Sequence, residues 1–150
     1  MAKRSKALCV GLMCALAIAC VCDRIARKLY FSRQVSGIAA TLGLEEQSYS
    51  IDYVTEEPQI MFSDTSQLIV FKLNGVWHPT AATALADESD VDFGIQAIEE
   101  LKPASDDVRL PKTIYRFGYE RFCCYACFVP DALRIYVWVM GAESRNPSGA

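Results

Sequence analysis

The side chains best suited to chemistry in this chain are its thiols and its single imidazole. Three cysteines stand close together in FCCYACF, at Cys123, Cys124 and Cys127, and His78 is the only histidine in 150 residues. Cys124 and Cys127 have the C-x-x-C spacing of a redox pair or of half a zinc site, and Cys123 adds a third thiol. A Cys3His zinc site would need His78 brought across to them. The segment around them is aromatic and reads as a strand, where residues three apart point to opposite faces. Two thiolates in that geometry cannot converge on one metal, and no helix N-terminus is expected there to activate a thiol. The three are expected to be buried, unpaired thiols, with no metal and no cofactor.

His78 lies in Trp77-His78-Pro79. Without a second histidine, or a Ser or Cys in an elbow motif, no triad can be assembled around it. It is expected to be a hydrogen-bonded histidine at a strand end, and no catalytic residue is assigned. The acidic run ADESDVDFG (86–94) sets Glu88, Asp90, Asp92 and Glu99 at positions 1, 3, 5 and 12 of a calcium loop. Phe93 stands where that loop's sharp turn requires glycine, and acidic residues at a helix start are already explained by the helix dipole. Glu99-Glu100 and Asp106-Asp107 read as a solvated helix end and a loop. Tyr115, Tyr119, Tyr125, Tyr136 and Trp138 could line a groove for a peptide or apolar ligand, but aromatic residues on a sheet are more often core.

A fourth thiol, Cys20, raises a different chemistry. It lies in ALCVGLMCALAIACVC (7–22), sixteen residues without a charge between Lys6 and Asp23. As a helix the run covers roughly 24 Å, short of the roughly 30 Å hydrocarbon core, and Lys6 and Arg24 can extend their heads to the interface to narrow the deficit. Its Leu, Ile and Val side chains favour insertion by about 2–3.5 kcal/mol together. The basic start at Lys3, Arg4 and Lys6 followed by small-x-small Ala17-Ile18-Ala19 also fits a secretory signal. Ala17-Ile18-Ala19-Cys20 resembles the bacterial lipobox, with Ala17 where that motif usually carries Leu, and the resemblance implies lipid attachment at Cys20. An uncleaved signal-anchor is the first expectation, a lipoprotein the second and simple secretion the third. The positive-inside count is close to even, so orientation is open.

Charge supports a membrane location. Residues 1–34 carry seven Lys/Arg against Asp23, a local +6, while 35–150 carry eight basic against seventeen acidic residues, or −9. An acidic domain repels phosphate backbones, which excludes nucleic acid as its partner. Basic residues at both ends of an apolar run suit anionic lipid headgroups.

The elements that must position these groups follow from periodicity. Residues 1–22 form the anchor and 23–44 a juxtamembrane helix stopped by Gly43, with Ser36-Gly37 a weak point in its stripe. An α+β domain spans 45–140. Strands are expected at 48–54, with Tyr49, Ile51 and Tyr53 on one face, at 59–62, and at 66–73 in the sheet interior. Asn74-Gly75 predicts a hairpin returning through Val76-Trp77-His78. A helix over 89–102, capped by Ser89, carries Val91, Ile95, Ile98 and Leu101 on its apolar stripe. Strands at 113–117, 119–129 and 133–140 follow, the last two joined at Pro130-Asp131, and 141–150 reads as a disordered tail.

The fold class is therefore α+β, an antiparallel sheet of five to seven strands with one or two helices behind an N-terminal apolar membrane helix. The preferred function is a non-enzymatic, membrane-tethered accessory protein that meets another protein through a sheet face or edge. One alternative is a small ligand-binding or hydrolytic domain using the aromatic face and His78. Another is a structural envelope lipoprotein.

Overall fold

The computed structural model describes residues 2–44, 49–55, 66–80 and 83–141, with side chains from Val10 onward. The chain divides into two compact units, Met1–Gln34 and Val35–Ala150. Helix α1 (Ala2–Thr41) contributes residues to both.

In the first unit every residue from Val10 to Ala26 is exposed. Val10, Leu12, Met13, Leu16, Ile18 and Val21 expose between 56% and 71% of their surface. Asp23 and Arg27 form an ion pair one turn apart, at 2.7 Å. Among the described residues no helix is long and apolar enough to cross a membrane. The side chains of residues 7–9, which open the apolar run and include Cys9, lie outside the described set.

The second unit is α+β. Its elements are β1 (Tyr49–Val54), β2 (Gln67–Leu73), β3 (Ala84–Leu85), α2 (Glu88–Leu101), β4 (Tyr115–Tyr119), β5 (Phe122–Val129) and β6 (Arg134–Gly141). They build one six-stranded antiparallel sheet in the order β1-β2-β6-β5-β4-β3. β2 is interior, as its run of apolar residues on both faces requires.

Strand alternation divides the sheet's side chains between two faces. Leu68, Val70, Tyr125, Cys127, Tyr136, Trp138 and Met140 share one core with Ile98 of α2 and with Ile114. α2 comes close there because Gly94 has no Cβ; one would sit 2.8 Å from Ile114 Cδ1. Phe93 meets Trp138 edge-on, with ring centroids 5.2 Å apart. On the opposite face Phe71, Ile69, Ala126, Ile135 and Val137 are buried as well. They are covered from the chain's 35–44 segment and Trp77, since Val35, Ile38, Ala39 and Leu42 are themselves buried. Trp77 packs edge-on against Tyr115 and Phe128, and its Nε1 donates to the Leu42 carbonyl at 2.8 Å. α1 stays helical through Ser36-Gly37, where the missing Cβ makes room for the Tyr119 ring. Gly43, at φ 74°, takes the left-handed conformation that ends the helix.

Several expectations are corrected. No strand returns through Val76-Trp77-His78, because both edges of β2 are already taken by β1 and β6. Trp77 is used as a plug on the sheet face instead. The tenants of β1 do not alternate strictly. The register passes from Ile51 opposite Phe71 to Tyr53 opposite Val70, so Asp52 is an extra, bulged residue. Tyr49 therefore meets Phe71 on one face while Tyr53 packs against the α2-side core.

The N-cap of α2 is Asp87, one turn position ahead of Glu88, and not Ser89. The apolar run from residue 119 is broken at Glu120-Arg121, where Glu120 turns at φ 50° and β4 ends at Tyr119. The short strand β3 had no sequence signal of its own. The strand expected at 59–62 and the tail beyond Gly141 lie outside the described residues.

Candidate functional site

The sequence-nominated thiols separate as strand geometry requires. Cys124 pairs with Phe117 and Cys127 faces Tyr136, which places the two on opposite faces of the sheet. Both are fully buried, and burial pushes each thiol up to about 12, Cys123 adding to the rise at Cys124 and Glu99 at Cys127. The Cys127 thiol donates to the Pro111 carbonyl. Among the described residues no three His, Cys, Asp or Glu side chains group as a metal site. Glu88, Asp90, Asp92 and Glu99 all lie on α2, so the twelve-residue loop that calcium would need is helix.

His78 is exposed in the segment after β2, while its neighbour Trp77 is buried. Tyr125, Tyr136 and Trp138 are core residues, with Tyr125 and Trp138 stacked at 5.3 Å. Every residue of β6 from Ile135 to Met140 is buried, so neither face of that strand is left as a contact surface. Cys20 is exposed on α1.

Two arrangements that sequence reading did not single out gather polar side chains of the second unit. The first is a network on the α2 face. Arg134 reaches Asp52 at 2.7 Å and Asp106 at 3.5 Å, and the Tyr136 hydroxyl donates to Asp106 at 2.7 Å. The Asp52 bulge is what aims that carboxylate at Arg134. One guanidinium bridges two carboxylates, with the Tyr136 hydroxyl as a further donor to Asp106, so the network ties β1, β6 and the loop after α2 together.

The second is a cavity of about 640 Å³ beside the β4–β5 hairpin, lined by Ala84, Arg116, Gly118, Arg121, Cys123 and Met140 among others. Arg116 stands 3.7 Å from Asp90, and its bond to Cys123 raises the guanidinium above its ordinary value ahead of the smaller contribution from Asp90. The Arg121 guanidinium lies 5.6 Å from the centre of the Phe122 ring. Gly118 has no neighbour within 4 Å of where a Cβ would stand. Arg116 and Arg121 are thus accompanied by two carboxylates, Glu120 of the lining and Asp90 beside Arg116. His78 is not part of this lining.

No family model matches this chain, and neither does any curated protein or solved structure. Arg116 and Arg121 escaped sequence reading because five positions and a turn separate them. The one available signal was the polar pair Glu120-Arg121 interrupting an aromatic run, which marks a hairpin end.

Proposed function

We propose that this chain is a membrane-attached contact protein. Its N-terminal helix holds it at a bilayer, and its α+β unit meets another protein without catalysis. The observation that carries the reading is the uncovered stretch of α1, where six large apolar side chains between Val10 and Val21 are exposed with no charge among them. A helix apolar on all sides is covered in a working protein, by lipid or by other helices. Lys3, Arg4 and Lys6 precede the stretch and Arg24, Arg27 and Lys28 follow it, which favours anionic headgroups as the cover. The attachment is a short signal-anchor in which flanking basic side chains reach the interface. The lipoprotein form would instead be held through Cys20.

Intact mass of the protein recovered from membranes tests this reading. The full 16.7 kDa chain is the expected species. A product beginning at Cys20 with diacylglycerol attached would replace the anchor by a lipid. A soluble, unmodified product beginning there would overturn membrane attachment.

A further inference from the structure

One thiol of the α+β unit is left within reach of solvent, and it borders the cavity. Cys123, Tyr125 and Cys127 share the α2 face of β5, and of the three only Cys123 is half-buried. Its cross-strand neighbours are Gly118 on β4 and Met140 on β6, and all three line the cavity. Gly118 brings no side chain, and among the described residues nothing stands within 4 Å of where its Cβ would be. The space beside the sulfur is therefore open. At about 640 Å³ it falls within the roughly 300–1,000 Å³ that takes a drug-sized molecule. Arg116, two residues before Gly118, lies on the same face and is bonded to the Cys123 side chain. The anion is the attacking form of a thiol, and a guanidinium is suited to holding an anion in place. Asp90 accompanies Arg116 and Glu120 accompanies Arg121, so the lining carries both signs of charge. Ala84, Phe122 and Met140 supply the apolar walls.

We propose that Cys123 is a thiolation site, at which a small organic disulfide enters the cavity and exchanges with the thiol held by Arg116. The Cys123 thiolate attacks one sulfur of the disulfide and the S–S bond breaks. The other half leaves as a thiolate and takes up the proton that Cys123 gave to solvent. Cys123 is oxidised to a mixed disulfide, and half of the small disulfide is reduced to a thiol. The room beside the sulfur favours a disulfide over a peroxide as the oxidant, since a peroxide needs no such space. The mixed disulfide persists, because neither other thiol of the unit reaches it. Cys124 points to the opposite face. Cys127 lies four residues along the strand, roughly 13 Å away, beyond the roughly 7 Å between Cα atoms that a disulfide spans. This inference is independent of the membrane and contact readings above.

The test treats the full chain in detergent micelles with 2-hydroxyethyl disulfide, an uncharged probe, quenches with acid and maps each cysteine by mass. One hydroxyethylthio group is expected on Cys123, with Cys124 and Cys127 free. Arg116→Gln, at an exposed position, is expected to slow the reaction at Cys123 about tenfold, and Arg116→Lys to restore part of the rate. Gly118→Val fills the space beside the sulfur and is expected to slow it by a similar factor; Arg116→Gln keeps the test intact if the valine variant does not fold. The exposed Cys20 should react at one rate in parent and variants, which places their effect at the cavity. Removing the excess probe should leave the adduct on Cys123 until a reducing dithiol is added. A Cys123 that stays free while Cys20 is thiolated overturns the proposal. So does a Cys123 rate that Arg116→Gln leaves unchanged, which would mark an ordinary half-exposed thiol. Passage of the adduct into a disulfide with Cys124 or Cys127 would also overturn it.

Discussion

The Tyr136 hydroxyl donates to Asp106 across 2.7 Å, joining the buried centre of β6 to the loop that follows α2. Arg134, two residues earlier on the same strand, holds Asp106 from the other side and Asp52 beyond it. A sheet face that would otherwise open at this end is closed by one short polar network. Tyr136→Phe leaves the rest of the side chain in place and removes one donor from a charged acceptor. It is expected to cost about 1–3 kcal/mol, read as a lower midpoint in urea unfolding with an unchanged slope.

The same residues predict a loss of stability at high pH. Burial, then the bond to Asp106, pushes Tyr136 up to about 12 from its ordinary 10, and burial pushes Cys124 and Cys127 to about 12 from 9. Each folded value lies above the unfolded one, so the unfolded chain gives up its protons first as pH rises. Stability from these groups is therefore complete below about pH 9 and falls between pH 9 and 12. Tyr136→Phe should flatten the part of that fall above pH 10. A stability that is constant from pH 9 to 12 would contradict the assignment.

Thiol accessibility separates the cysteines. Cys14, Cys20 and Cys22 are exposed and Cys123 is half-buried, whereas Cys124 and Cys127 are buried. Alkylation of the native protein in detergent below its critical micelle concentration, mapped by mass, should label the first three fastest and Cys123 more slowly. Cys124 and Cys127 should label at the rate of unfolding. Labelling of Cys124 and Cys127 as fast as Cys123 would show that the sheet faces are not closed.

Trp77 couples the end of α1 to the sheet. Trp77→Phe removes the hydrogen bond to the Leu42 carbonyl, and leaves that carbonyl without this donor, at an expected cost of about 1–3 kcal/mol. Trp77→Ala also removes the contacts with Tyr115 and Phe128, and about 3–5 kcal/mol is expected. Thermal unfolding of both variants checks the ordering. An alanine variant as stable as the parent would mean that Trp77 does not close this face.

Much of the fold was legible because burial writes itself into periodicity. The apolar run of β2, the stripe of α2 and the Pro130 turn all appear where patterning placed them. Misses came where a local signal met a tertiary constraint. Asn74-Gly75 is a strong hairpin signal, yet a strand already flanked on both sides has no edge to offer the returning chain. SYSIDYV alternates cleanly in sequence, but the bulge at Asp52 sends Tyr53 to the other face. A bulge conserves composition, so the sequence carries no mark of it. The cavity was hidden for a similar reason: Arg116 and Arg121 come to line one site only once the β4–β5 hairpin is formed. The separation of Cys124 and Cys127 was readable in advance, because two residues three apart on a strand cannot share a face, whereas Cys123 is half-buried where full burial was expected.

Attachment of the chain to a bilayer through the apolar part of α1 is the claim on which the functional reading stands. Flotation of the full chain with vesicles containing anionic lipid tests it most directly, against a variant carrying Leu12→Lys, Leu16→Lys and Ile18→Lys. These three side chains are exposed, so the substitutions leave the α+β unit folded. The parent is expected to float with the vesicles and the variant to stay in the dense fraction. A parent that stays in the dense fraction, or a variant that floats equally well, would contradict the account.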